Sequence, residues 1–133
     1  MKPEVGELFS NANYAHLTTL REDGSPQARP VWTTVRDGQV AFFTQASSPK
    51  AANLARDGRV ALSVVDNANP FRSAWIRGHV AGTIEGDDAL TIIDGISEAY
   101  TGQPFPWRSG VVYLIEVDAD GFAELPFVHA PRA

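Results

Sequence analysis

Short runs of apolar and β-branched residues, separated by glycine-containing turns, dominate this chain. Tyr14 to Arg21 predicts a strand, ended by Glu22-Asp23-Gly24-Ser25, a turn whose glycine tolerates positive φ. Arg29 to Arg36 predicts the next strand, with Val31, Thr33 and Val35 on one face and Trp32 and Thr34 on the other. Asp37-Gly38 is a two-residue hairpin signal, and Gln39 to Thr44 returns as the third strand. Arg59 to Val65 predicts a fourth strand, and Arg72 to Ile84 a long fifth one, with Gly78 and Gly82 marking bulges or a bend. Val111 to Val117 and Phe122 to Val128 are expected as two closing strands.

Helical spacing occurs in three places. Glu4 to Asn11 carries Val5, Leu8 and Phe9 on one side. Ser48 to Arg56 turns Ala51 and Leu54 inward and stops at Asp57-Gly58. A helix capped by Asp87 and running through Tyr100 spaces Leu90, Ile93, Ile96 and Tyr100, and Gly102 ends it. Asp66-Asn-Ala-Asn-Pro70 is a loop by composition, and Gln103 to Gly110 is irregular, its Pro104-Phe-Pro-Trp107 packing at the edge of a cleft. Six or seven strands with short helices between them predict a mainly β fold, an antiparallel barrel with helical insertions.

The opening of the second helix carries the local chemistry. Ser48 suits the N-cap, its hydroxyl accepting from a first-turn amide, and Pro49 suits the first helical position. Lys50, Ala51 and Ala52 are then expected to present free N–H groups at the positive end of the helix dipole, beside an ammonium. Ordinary capping of a surface helix uses the same residues, so the tripeptide alone leaves both interpretations open.

Composition narrows the field. A chain of 133 residues fits one domain, 1–133, with enough surface to bury a core. A net charge of −5 with mixed signs disfavours a nucleic-acid surface, so any anion site is local. There are no cysteines, which removes disulfides and thiolate metal sites. The N-terminal residues lack an apolar run, and no segment reaches the length of a membrane span, so a cytoplasmic protein is expected. His16, His79 and His129 have no metal-ligand spacing, and no metal is expected. Ser10, Ser25, Ser47 and Ser97 lack a nucleophile elbow, and neither GxGxxG nor a P-loop occurs. Trp75, Arg77 and His79 share one strand face, either a barrel exterior or dimer face or part of a cofactor cleft.

His16-Leu-Thr-Thr-Leu-Arg-Glu-Asp-Gly-Ser-Pro-Gln, Pro30-Val-Trp, Pro49-Lys-Ala-Ala-Asn-Leu-Ala-Arg-Asp-Gly-Arg-Val-Ala-Leu, Asn69-Pro-Phe-Arg, Ile76-Arg-Gly-His-Val, Ile93-Asp and Tyr100-Thr-Gly stand in this order. The ordered set resembles the split-barrel flavoproteins of the pyridoxamine-phosphate-oxidase-like class, and within it the small branch that uses the deazaflavin coenzyme F420. The resemblance implies an FMN-binding split β-barrel and a homodimer with cofactor sites between subunits. It implies phosphate binding by Ser48, Lys50 and Asn53, with Ser47 and Pro49 in the same turn and Arg29 adding a cation. The cofactor ring would lie along Val31, Trp32 and Thr33, with Thr44 at its end, and Phe71, Arg72 and Ser73 would reach the cofactor. Two departures tilt the cofactor from FMN toward F420: Pro49 and Thr34 stand where the FMN oxidases place basic residues. The ending Phe127-Val-His-Ala-Pro-Arg-Ala also lacks the basic and histidine motif that holds pyridoxine phosphate. The implied activity is hydride transfer to an unsaturated small organic substrate, with no residue assigned as catalytic. An FMN oxidase or reductase and a non-catalytic cofactor-binding module are the alternatives.

Overall fold

A computed structural model describes residues 1–130. In chain order the elements are α1 (Pro3–Ser10), β1 (Ala15–Leu20), β2 (Pro26–Val31), β3 (Thr33–Arg36), β4 (Gln39–Thr44), α2 (Pro49–Arg56), β5 (Arg59–Val65), β6 (Arg72–Ile84), α3 (Gly86–Thr101) and β7 (Val111–Glu124). The strands form one seven-stranded sheet in the order β2-β1-β5-β6-β7-β4-β3, with every neighbouring pair antiparallel. The mainly β, split-barrel expectation holds.

The expected strand from Arg29 to Arg36 is two strands. Trp32 separates β2 from β3, and the two lie at opposite edges of the sheet. A single residue joining both edges forces the sheet to curl on itself, yet no ladder closes the seam, so the barrel is split there. Period-two alternation continues through Trp32 and does not register a change of partner, which is why the pattern shows one strand. Prolines 26 and 30 lie on β2, an edge strand, where a missing N–H costs no ladder bond.

The two closing strands are also corrected, to one strand of 14 residues. Residues 118–121 stand between the two expected strands, but Ala119, Asp120 and Gly121 stay paired with β6, and the register shift at Arg77/Gly78 passes over Asp118 alone; a second shift lies at Val80/Gly82. Those are the bulges expected from Gly78 and Gly82. At Gly78 a side chain would collide with the Glu116 carbonyl oxygen, so close strand approach requires glycine. Leu125 to Val128 lie outside the strand.

Three smaller expectations resolve cleanly. Asp37 and Gly38 both take positive φ, 49° and 76°, as a type I′ hairpin turn needs. The N-cap of α3 is Glu85 rather than Asp87, which sits in the first turn, where its charge favours the helix dipole. Gly102 ends that helix in the left-handed conformation, and its N–H bonds the Glu98 carbonyl.

Val5, Leu8 and Phe9 of α1 are fully buried against Leu17, Val40, Phe42, Leu62, Ile76 and Ile115, so α1 fills the interior of the curled sheet. The second helix spans toward the other edge. Asn53 is buried, and its amide donates to the Thr19 hydroxyl and the Gln27 side-chain oxygen, both at 3.0 Å. Arg56 adds a 3.2 Å bond to the Leu20 carbonyl. The N-terminus of α2 is thereby fixed close to the seam. No described helix is long and apolar enough to cross a membrane.

Candidate functional site

The seam around Trp32 opens into a cleft of about 190 Å³ lined by Pro30, Val31, Trp32, Phe43, Lys50 and Phe105. Its wall is aromatic. Trp32 stacks on Tyr100 with ring centres 5.1 Å apart and planes 9° from parallel. Phe43 and Phe105 meet Trp32 edge to face at 6.3 Å each and meet one another at 5.0 Å. Tyr100 is held from both sides: its hydroxyl donates to the Asn13 carbonyl at 2.6 Å and accepts from the Thr33 N–H at 3.0 Å. The break between β2 and β3 is therefore tied to α3 through one phenol.

The cationic side of the cleft is Lys50. Half-buried, it has its basicity lowered, first by loss of water and then by repulsion from Arg29. Among the described residues no carboxylate pairs with either Lys50 or Arg29. Two neighbouring cations without counter-ions favour an anion between them.

Ser48 caps α2 as expected, its hydroxyl oxygen accepting from the Ala51 N–H at 3.1 Å and from the Thr44 hydroxyl at 2.9 Å. Its own proton remains free to donate outward. Thr44 is buried and acts on the cleft only by orienting Ser48. The helix opening offers fewer free amides than the sequence predicts. Ala51 N–H goes to the Ser48 hydroxyl and Ala52 N–H to the Ser48 carbonyl, so Lys50 N–H alone lacks a partner. A well-made cap and a three-amide anion nest compete for the same protons, and the cap holds them.

The other predicted residues divide. Val31 and Trp32 line the cleft, whereas Thr33 is buried and turned away, its hydroxyl donating to the Phe9 carbonyl at 2.8 Å. Both amide protons of Asn53 are already donated inside the fold, leaving none for a phosphate. Pro49 is exposed at the helix start, and Ser47 lines a neighbouring cavity of about 490 Å³ together with Gln45, Glu85, Asp87 and Arg108. Phe71, Arg72 and Ser73 line neither cavity: Arg72 bonds Asp66 at 2.9 Å and sits over the Phe122 ring, and Phe71 packs on Phe127 and His129. Trp75, Arg77 and His79 do share the outer face of β6, with the Arg77 guanidinium 5.2 Å from the Trp75 ring. No group of three or more metal-ligating side chains exists among the described residues.

Sequence reasoning missed Phe43, Tyr100 and Phe105 as parts of one wall. Phe105 belongs to the Gln103–Gly110 segment, which packs at the cleft edge as its composition predicts. Only Phe105, between Pro104 and Pro106, carried a usable local signal; Phe43 and Tyr100 flank no proline, and which distant ring each would meet could not be read.

Comparison with known proteins agrees with this architecture. Over 91% of this chain and 98% of its own, an F420 reductase superposes with a TM-score of 0.80 at 25% identity. The conserved hypothetical protein Rv2991 from Mycobacterium tuberculosis matches over 100% of this chain and 94% of its own, with a TM-score of 0.79 at 24% identity. General Stress Protein 26 from Bacillus anthracis shares the fold over 90% of this chain and 91% of its own, with a TM-score of 0.70 at 13% identity. No curated protein sequence matches. Residues 1–104 match the family model described as pyridoxamine 5'-phosphate oxidase, and so the chain belongs to that family.

Proposed function

We propose that this protein is an oxidoreductase that holds coenzyme F420 through its phosphate and reduces an unsaturated small organic molecule. The observation that carries this is Lys50: a half-buried ammonium of lowered basicity, without a carboxylate, beside Arg29 and at the mouth of an aromatic cleft. Lys50, its own N–H, the outward proton of Ser48 and Arg29 together fit a phosphate. Trp32, braced by Tyr100, and Phe43 supply flat apolar surface against which a planar ring packs. A flavin or deazaflavin, once bound, supplies hydride-transfer chemistry.

The protein's share of the work is orientation and exclusion of water. Val31, Trp32, Phe43 and Phe105 give the cleft no hydrogen-bonding side chain except the Trp32 indole N–H. Among the described residues Lys50 is the only titratable side chain lining it, and a phosphate contact holds that proton in place. Tyr100 already donates its proton to Asn13. None of this chain's own cleft-lining side chains is therefore free to give the proton that completes the reduction.

Support for F420 over FMN comes from the F420 reductase neighbour and from Pro49 and Thr34 standing where basic residues would strengthen an FMN phosphate site. The proposed assembly is a homodimer, because Phe71, Arg72 and Ser73 lie away from the cleft of their own chain and would complete the cleft of a second copy.

The test is melting of the purified chain with F420 and, separately, with FMN. F420 at a hundred times its Kd is expected to stabilise by about 2.7 kcal/mol. The Lys50→Ala variant should bind it about 10- to 150-fold more weakly, the loss expected for one charge-assisted bond of about 1.5–3 kcal/mol. An unchanged Kd in that variant, or a larger effect from FMN than from F420, overturns the proposal.

A further inference from the structure

Beyond the Lys50 cleft, Phe105 is shared with a second, larger groove of about 430 Å³ lined by Gln45, Phe105, Trp107 and Ser109. One phenyl ring borders both spaces. Trp107 meets Phe105 edge to face at 5.2 Å and is 65% exposed, a large apolar surface left open to water.

The segment bearing these rings is clamped. Asp94 of α3 takes the Phe105 N–H at 3.1 Å and both terminal nitrogens of Arg108 at 2.9 and 3.0 Å. Arg108 also donates to the Phe105 carbonyl at 2.8 Å. A bidentate carboxylate–guanidinium pair thus fixes the backbone of the residue whose ring borders both cleft and groove. Arg108 is neutralised in the process, so it offers no free cation to the groove.

The far side of the groove is polar and also fixed. Gln45 donates to the Ser109 carbonyl at 2.8 Å, and the Ser109 hydroxyl donates to the Gln45 side-chain oxygen at 2.7 Å. One amide proton of Gln45, which lines both the groove and the adjoining cavity, is left unused. The adjoining cavity carries Glu85 and Asp87, which oppose a negatively charged ligand.

We propose that this groove is the substrate subsite, that it takes an uncharged planar ring bearing a carbonyl acceptor, and that Trp107 sets its specificity while Asp94 is a positioning residue acting through Arg108 and Phe105. A volume of about 430 Å³ lies within the range of small-molecule sites, about 300–1,000 Å³. The ring packs on the open face of Trp107 beside Phe105, and its carbonyl accepts the unused Gln45 amide proton. Calling the groove a substrate site rests on the cofactor assignment above; ring binding as such does not.

The test uses the protein labelled with 5-fluorotryptophan, whose three indoles are assigned by single Trp→Phe variants. Naphthalene-2-carboxamide is titrated against it, with naphthalene-2-carboxylate as the charged counterpart. The Trp107 fluorine signal should shift saturably with the amide and at least 10-fold more weakly with the acid, while the Trp75 signal stays in place. Trp107→Ala should weaken amide binding at least 10-fold. Asp94→Asn should weaken it several-fold while leaving the Trp75 signal and the far-UV circular dichroism unchanged, a split that general destabilisation does not produce. A Trp107 signal that does not respond, or equal affinity for the acid, overturns the proposal. Lys50→Ala separates the two assignments: loss of F420 binding with naphthalene-2-carboxamide binding intact supports both. Naphthalene-2-carboxamide binding without any F420 binding leaves the groove a ring site and removes only the cofactor assignment.

Discussion

Tyr100→Phe isolates the phenol that ties α3 to the break in the sheet. The substitution keeps the ring, and with it the stack on Trp32 and the edge contact with Tyr14 at 5.6 Å. What it removes is one oxygen that serves two backbone groups, the Asn13 carbonyl and the Thr33 N–H. Thr33 is 2% exposed, and its N–H has no other partner, so water cannot readily replace the hydroxyl. An ordinary hydrogen bond contributes about 1 kcal/mol, and a stranded buried donor costs about 1–3 kcal/mol. The expected loss is about 2–3 kcal/mol. For a chain of 133 residues the unfolding entropy is about 0.28 kcal/mol per kelvin. Tyr100→Phe should therefore melt about 7–11 °C below the parent, with far-UV circular dichroism at 20 °C unchanged. Burial has already raised the phenol's pKa, so the parent's bond persists through neutral pH. A melting point within about 1 °C of the parent would refute the reasoning, because it would mean that a water molecule or a small backbone shift satisfies Thr33.

Acid should destabilise the fold in a defined window. Asp57 is held down to about 2, chiefly by hydrogen bonds from Arg59, and Asp23, Asp66, Asp94 and Asp120 are also lowered, chiefly by bonds from Ser25, Ala68, Arg108 and Lys2 respectively. Folded values below the unfolded ones mean that the unfolded chain binds more protons, so this stability is complete above about pH 5 and is lost as pH falls toward 2. Thermal melts from pH 7 to 2.5 should stay level to about pH 5 and then decline; a melting point that rises between pH 4.5 and 3 contradicts the assignment. The outer face of β6 provides a test of assembly. Trp75 is 42% exposed there, and sedimentation equilibrium should show the parent as a dimer and Trp75→Glu as a single chain with unchanged circular dichroism. A parent that sediments as a single chain removes the dimer proposal.

Much of this architecture was legible because its signals are local. Asp37-Gly38 demands positive φ at both positions, Ser48-Pro49 caps a helix, and Gly78 and Gly82 interrupt a strand too long to be regular. Each of these is decided by a residue's own backbone or cap chemistry. The misreadings share the opposite origin. The pattern across Arg29–Arg36 cannot record that the strand changes edges at Trp32, and residues 118–121 interrupt the apolar pattern although β6 pairs through them. Within the site, Lys50 was legible from its place in the helix opening. The internal roles of Asn53 and Thr33 were not, since they depend on Thr19, Gln27 and Phe9, distant in sequence. Nor could the aromatic wall be read, because ring partners such as Trp32 and Tyr100 are set by tertiary packing alone.

The sheet order has a consequence for how the protein is made. β7 lies between β6 and β4, so the β3–β4 hairpin has no partner until the last strand arrives. Translation delivers about 5–20 residues per second, and for seconds after residue 44 the nascent chain carries an unpaired apolar hairpin. Pairing β4 with β7 joins residues about seventy positions apart, a separation that slows closure relative to helix formation. During that interval the bare edges of β4 and β6 can recruit strands from other chains, so a premature stop before Val111 would yield an aggregating product rather than a smaller folded one.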